Sequence, residues 1–571
     1  MKFDDILQYL GEFGFYQKRI YFLLCFMAIT TMFHQVAQVF LAPTTDHWCK
    51  TPQLERQDCF SWDLDTETCN ELKYNATIPE DDEDTILREH NCRRCDVTYS
   101  EFGEDTERCK LSDPDIEECV DGWEYDRSQY KATVIQDFDL VCDDGSKASL
   151  SQSIYFAGVL VGSFVFGALA DFIGRKKTMF LANFITLVFG IAAAFAPGYW
   201  WFTIFRTIVG FSCIGTYLAA FTIATELVGP SKRTFVGMVI NFYTSSGLII
   251  YGILAYFIRD WRWLQLTITL PSALYFLMIP VIPESVRWLI SQKRFDEAEE
   301  LIKECAKINK ASLDELPENL FEEQKAEMEK AEHDVTYTVV DLFRTPNLRM
   351  KTFNILFNWF VNSLVYYGLS LSTASLGGRD YLAFILSGVV EIPAFIVAIP
   401  AIDRFGRKRV LCAFMVLGGV ACLTTIWVPM GWGRTTVSLI GKFGIAASFG
   451  IIYVFSAELY PTPVRSAGMG TSSMSARIGG ILAPIILEIG KIWPPLPLMI
   501  FSLMSISAGF LALLLPETLN QDLPETIEDG ENFGKKKVKP KEPTSKPTMV
   551  DYCGQVDIES SFTNQAYEVV E

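Results

Sequence analysis

Gly167-Ala168-Leu169-Ala170-Asp171-Phe172-Ile173-Gly174-Arg175-Lys176 closes one long apolar run, and Asp403-Arg404-Phe405-Gly406-Arg407-Lys408 closes another. Asp171 and Asp403 are 232 residues apart. The same offset carries Glu226 and Arg233 onto Glu458 and Arg465, and Pro283-Glu284-Ser285 returns as Pro516-Glu517-Thr518, 233 residues on. Three elements repeating at one distance describe a duplicated chain. Each follows an almost uncharged stretch near 20 residues, the length a helix needs to cross the ~30 Å hydrocarbon core of a bilayer. Working outward, such stretches fall near 19–41, 149–171, 178–197, 200–224, 234–258 and 262–282, then near 352–372, 380–402, 409–429, 433–455, 467–489 and 494–516. The sequence predicts an all-α membrane protein of twelve transmembrane helices in two six-helix pseudo-repeats.

Composition agrees. Half of the 571 residues are hydrophobic and 20% are charged, below the roughly 25% usual in soluble domains. The net charge of −19 is not spread evenly. Between Pro43 and Lys147 acids outnumber bases by more than two to one, and this segment supplies most of the imbalance. Nucleic-acid binding, which needs a basic face, is disfavoured. The same segment holds Cys49, Cys59, Cys69, Cys92, Cys95, Cys109, Cys119 and Cys142, and the sequon Asn75-Ala76-Thr77. Dense, even cysteines in a polar stretch read as a disulfide framework in an oxidising compartment, with the pairing open. Cys92-Arg93-Arg94-Cys95 has no second CxxC or histidine pair at zinc spacing, so no metal is expected there.

Basic residues in the short loops fix the orientation. Arg175, Lys176 and Lys177, then Lys232 and Arg233, then Arg404, Arg407, Lys408 and Arg409, then Arg465 all fall on one side, read as cytoplasmic. Arg259 and Arg262 are a mild exception. The predicted order is a cytoplasmic N-terminus (1–18), helix 1 (19–41), an extracellular Cys-rich glycosylated loop (42–148), helices 2–6 (149–282), a cytoplasmic helical loop (283–351), helices 7–12 (352–516) and a cytoplasmic tail (517–571). The opening segment carries acids and is not a cleavable signal, so span 1 serves as its own anchor. The lysines at 535, 536, 537, 539 and 541 read either as a contact for anionic lipid or as plain disorder.

Two parallel repeats with a site at the midplane between them are a transporter architecture. The acids and bases at the repeated helix ends (Asp171, Arg175, Glu226, Arg233; Asp403, Arg407, Glu458, Arg465) then read as latches that hold in one state and release in another, against the plainer reading of topology signals and helix caps. Ionisable residues inside the spans are costly and mark function. Glu391 sits near the centre of span 8 and Arg477 near the centre of span 11; Arg206 in span 4 and Lys442 in span 10 lie nearer an end.

The motifs resemble the major facilitator superfamily. PESVRWLISQKRFDEAEELI (283–302), WRWLQL (261–266), AELYPTPVR (457–465) and LLPETLNQDLPETIEDGENFG (514–534) are similar to the organic cation, anion and carnitine transporters among the solute carriers. FDDILQYLGEFGFYQKR (3–19), YYGLSLSTASLGG (366–378), VVEIP (389–393) and SSMSARIGGILAP (472–484) look most like the cation and carnitine members. Sugar facilitators share the loop signatures but carry a Gln-Gln pair where this chain has Asn358-Trp359-Phe360-Val361-Asn362-Ser363, so a sugar is disfavoured. The resemblance implies an acid at Glu391, as in cation and carnitine carriers, and an arginine at Arg477, as in anion and carnitine carriers. It also implies cavity positions at Tyr217, Asn241, Trp359, Tyr366, Tyr367, Phe449 and Tyr453, where aromatic faces suit quaternary and protonated amines.

Glu391 and Arg477 then either meet the two ends of a zwitterion or pair with each other, as a gate or permanently. The expected function is polyspecific transport of small organic cations or zwitterions (carnitine-like) by alternating access in the plasma membrane, with an organic anion exchanger as the alternative. A non-transporting receptor is opposed by the intact pair of latch motifs. An enzyme is opposed by the lack of any HExxH, P-loop or nucleophile constellation, with only His34, His47, His90 and His333 in the chain. The partners implied are a small organic solute and the lipid bilayer, with no nucleic acid, and a homo-oligomer is left open. No cofactor is implied.

Overall fold

A computed structural model describes residues 3–50, 92–95, 116–311, 338–373, 379–521 and 523–534. Asn75, Cys59, Cys69, Cys109 and the lysines from 535 on lie outside the described residues.

A short helix, α1 (Phe3–Tyr9), precedes the first membrane helix, α2 (Phe15–Val36), which begins four residues ahead of the predicted 19. There follow α3 (Lys147–Ile173), α4 (Arg175–Ala194), α5 (Tyr199–Glu226), α6 (Pro230–Phe257) and α7 (Trp261–Thr269). Span 6 is not one helix: Pro271, which has no N–H to give, starts a new turn at Pro271–Leu274, and a 3-10 segment Tyr275–Met278 completes it. A helix α8 (Phe295–Asn309) stands between the halves. The second half holds α9 (Pro346–Ser372), α10 (Asp380–Phe405), α11 (Arg407–Trp427), α12 (Trp432–Leu459), α13 (Arg465–Ile489) and α14 (Leu496–Ala512). Among the described residues nine helices are long and apolar enough to cross a membrane. The other three predicted spans are the broken span 6, the shorter α14, and α9, whose length carries Arg349, Lys351 and four asparagines.

The two halves pack alike. α3 and α4 both lie on α5, and α10 and α11 both lie on α12 in the equivalent arrangement. Small residues allow the approach: a Cβ on Gly158 or Gly162 of α3 would run into the backbone of α5 at Thr207 and Phe211. Two seams join the halves, α3 against α13 and α6 against α10. Under the repeat offset these are images of one another, so the interface has the pseudo-two-fold symmetry that the sequence repeat predicts.

At the Cys-rich end, among the described residues, two small antiparallel pairs form, β1 (His47–Cys49) with β4 (Trp123–Tyr125), and β2 (Arg93–Cys95) with β3 (Ile116–Glu118). Disulfides join Cys49 to Cys119 and Cys92 to Cys142, so Cys92 is not half of a local CxxC pair. His47 lies near Cys92 and Cys142, but their disulfide leaves no thiolate for a metal. This module is fixed to the first half. Asp137 accepts from Trp261 Nε1 at 2.9 Å and pairs with Arg262 at 3.1 Å, which explains why a basic residue sits at this end. It also reaches the second half, where Gln129 Nε2 and Tyr130 Oη donate to Asp380 at 2.8 and 3.0 Å. Burial and the Asp380 carboxylate push the Tyr130 hydroxyl well above its ordinary pKa, so it stays a donor.

Candidate functional site

Between the halves lies a cavity of about 80 Å³, walled by α2, α5 and α6 on one side and by α9, α10, α12 and α13 on the other. Glu391, Arg477, Tyr217 and Asn241 line it, as do Tyr366, Tyr367, Phe449 and Tyr453. Thr31, Met32 and Gln35 of α2 and Phe395 of α10 complete the wall and were not singled out by sequence. Gln35 is held by Tyr367, whose hydroxyl donates to its Oε1 at 2.9 Å across the halves.

Trp359 departs from expectation. It is 1% exposed, its Nε1 donates to Ser456 Oγ at 2.8 Å, and it packs behind Tyr453 (4.3 Å between centroids) and Phe449. It supports the aromatic wall rather than forming it. Trp359 and Tyr366 share a helical face seven residues apart, but α12 interposes its rings at the level of Trp359.

The two charges near the midplane do not pair with each other. Glu391 Oε1 lies 3.1 Å from Lys442 Nζ, with both side chains 2% exposed, and Oε2 accepts from Ser245 Oγ of the opposite half at 2.7 Å. Lys442, the eleventh residue of α12, lies nearer a helix end than Glu391 or Arg477 does, as expected, yet its ammonium reaches Glu391; it also donates to Ser370 Oγ and covers the Tyr366 ring, 3.3 Å from its centroid. Arg477 has no carboxylate within 4.0 Å among the described residues; Tyr367, Tyr217 and Tyr453 stand near it. Arg206, 1% exposed, lies outside the cavity wall. Its Nη2 donates to the His34 carbonyl at 2.9 Å, and its guanidinium covers the Tyr155 ring.

At the end opposite the cysteines the repeated motifs come together, each within its own half. Arg175 pairs with Asp171 at 3.0 Å and with Glu226 at 3.5 Å; Arg407 pairs with Asp403 at 3.5 Å and grips Glu458 with Nε and Nη2 at 3.0 and 3.1 Å. Asp171 and Asp403 are 77% and 66% exposed, so those pairs are weak and the glutamates carry the contact. Arg465 does not join Glu458; it donates to Tyr460 O and Thr462 Oγ1. Arg233 stands in the first turn of α6 at the same end.

The sequence repeat also contained two acids without an assigned part. Glu284 Oε1 accepts from the amides of Arg175 and Lys176 at 2.9 and 3.1 Å, and Glu517 Oε1 accepts from the amide of Arg407 at 2.7 Å. Each carboxylate caps the positive N-terminus of α4 or α11. The turns before those helices need glycine: Gly174 has φ +105° and Gly406 φ +91°, and a Cβ at either would strike that carboxylate. The 233-residue recurrence of Pro-Glu-Ser/Thr was the available signal.

A duplicated six-helix fold around a midplane cavity, with matching charged turns, defines a transporter of the major facilitator type. The comparisons agree. The family model "Sugar (and other) transporter" matches residues 116–529. Among solved structures, the inward-open xylose transporter XylE from E. coli matches with a TM-score of 0.53 at 16% identity, over 70% of this chain and 92% of that one. The "Organic cation transporter protein" of Drosophila melanogaster is 44% identical over 94% of this chain and 96% of its own length. The human "Organic cation/carnitine transporter 2" is 34% identical over 92% and 93%, and a Drosophila "Beta-alanine transporter" is 34% identical over 93% and 89%. The chain belongs to the organic cation, anion and carnitine transporter family of solute carriers, a multi-pass membrane family of the major facilitator superfamily.

Proposed function

We propose that the chain carries small organic zwitterions of the carnitine type, an onium group and a carboxylate on one short frame, across the plasma membrane by alternating access, with both termini cytoplasmic. The supporting observation is the charge balance of the cavity. Glu391 and Lys442 cancel one another, so the wall keeps one net positive group, Arg477, among tyrosines. A guanidinium in a low-dielectric wall attracts a carboxylate and holds it with a planar fork. The rings of Tyr217, Phe449 and Tyr453 suit the onium end. A simple cation would meet Arg477 with no unpaired carboxylate among the described lining residues to offset it. The relatives named for carnitine and for β-alanine are named for molecules that carry both a cationic nitrogen and a carboxylate.

The membrane potential is worth ~2.3 kcal/mol per charge at 100 mV. A zwitterion of zero net charge takes no work from it, so uphill transport then requires exchange or a co-transported ion. The same Arg477 favours a second reading, an organic anion exchanger. Uptake of carnitine, tetraethylammonium and p-aminohippurate by cells expressing the chain separates these. Carnitine uptake above the other two is expected. Tetraethylammonium uptake exceeding that of carnitine would contradict the proposal, and a preference for p-aminohippurate would establish the second reading instead.

A further inference from the structure

The two charged turns are images in sequence but not in strength. In the second half Glu458 is fully engaged: Arg407 holds both oxygens at 3.0 and 3.1 Å, and Thr518 Oγ1, 3% exposed as a residue, donates to Oε2 at 2.6 Å. In the first half both Arg175–Glu226 approaches are 3.5 Å, and neither Arg175 Nε nor Glu226 Oε2 has a hydrogen-bond partner. The residue at the Thr518 position there is Ser285, which also has a hydroxyl. That hydroxyl is oriented elsewhere: a short helix Val286–Ser291 begins at once and Ser285 Oγ turns to cap it, accepting from the Trp288 amide at 3.3 Å, while Glu226 Oε2 receives no hydrogen bond. After Thr518 the chain turns without a helix, so its hydroxyl is free to turn toward Glu458.

We propose that Thr518 is a positioning residue of the second charged turn: through Glu458 it fixes Arg407, so the turn between α10 and α11 is the firmer one and the turn between α3 and α4 yields first in the transport cycle. The inference rests on the carrier reading only for its place in the cycle. A donor aimed at a charged acceptor strengthens a pair more than a neutral one does, and it restricts the carboxylate to the rotamer that Arg407 can grip. The first turn keeps its capping acid Glu284 but lacks this second restraint.

Hydrogen exchange on the full-length purified protein in nanodiscs, without substrate, tests it. In wild type, a peptide spanning 171–178 should exchange faster than one spanning 403–410. Thr518→Val should speed exchange in 403–410 by about tenfold, the size expected for losing a hydrogen bond to a charged group, and leave 171–178 unchanged. Thr518→Ser, which keeps the hydroxyl, should restore the wild-type rate. In the transport assay Thr518→Val should change the maximal rate while KM holds, because the residue does not touch the cavity. Equal exchange of the two turns in wild type, or a Thr518→Val chain whose 403–410 rate matches wild type, would overturn the proposal, whatever the transported solute proves to be. A general loss of structure would instead raise exchange in both turns, and Thr518→Ser failing to rescue would count against the hydroxyl.

Discussion

Lys442 Nζ lies 3.1 Å from Glu391 Oε1, both side chains all but sealed from solvent, on two helices of the same half. The contact removes from the cavity the negative charge that a cation would seek. It also places two ions where each is costly unless the other is present.

Breaking this pair from either side should be expensive and restoring neutrality should recover the loss. Lys442→Met or Glu391→Gln alone is expected to lower stability by about 3–5 kcal/mol, while the double variant loses clearly less than the sum. Thermal melts of the detergent-solubilised chain check this. Additive losses would mean that the two charges are independent.

The left-handed turns allow a clean comparison. Gly406→Ala should cost at least about 1–3 kcal/mol, from the glycine-only backbone conformation and from the collision with Glu517. Gly167→Ala, with nothing within 4 Å of the new methyl, should leave the folded fraction at the cell surface near wild type. Equal behaviour of the two variants would refute the packing account.

Peptide mapping without reduction should recover links between Cys49 and Cys119 and between Cys92 and Cys142. Closing loops of 70 and 50 residues, each is expected to stabilise the module by about 2–5 kcal/mol. A Cys92–Cys95 link would contradict this connectivity.

Cys305 on α8 lies under the N-terminal segment, where Asn309 Nδ2 donates to Leu10 O and Gln17 Oε1 at 2.9 Å. Burial, with Glu304 beside it, pushes its thiol up to about 12. A raised pKa keeps the neutral thiol across physiological pH, so native protein should resist alkylation of Cys305 at pH 8 and react there once unfolded. Deleting residues 1–14 should open the site and raise its labelling in native protein. Fast labelling of the intact native chain would show that the N-terminal segment does not cover it.

Local sequence carried the architecture because bilayer length and a repeat offset are one-dimensional signals. Glu391 and Arg477 were legible for a similar reason, as single charges in apolar runs. The pairing of Lys442 with Glu391 was not legible, because the two are 51 positions apart and the side-chain reach from α12 to α10 is a tertiary fact. Glu284 and Glu517 were visible as repeats, but the amides they cap lie 109 and 110 residues earlier. Trp359 packs behind Tyr453 rather than on the cavity, a depth that sequence does not give, since it shows the face of a helix and not where a neighbour intervenes.

Whether Arg477 receives the carboxylate of a zwitterion is read from the ratio of carnitine uptake to choline uptake, measured in wild type and in Arg477→Ala. The two solutes share a quaternary ammonium and differ in the carboxylate. A strong preference for carnitine is expected in wild type, falling by at least about tenfold in the variant, the loss of a charge-assisted pair. A wild type that takes up choline as readily as carnitine, or a ratio unchanged in Arg477→Ala, would contradict it.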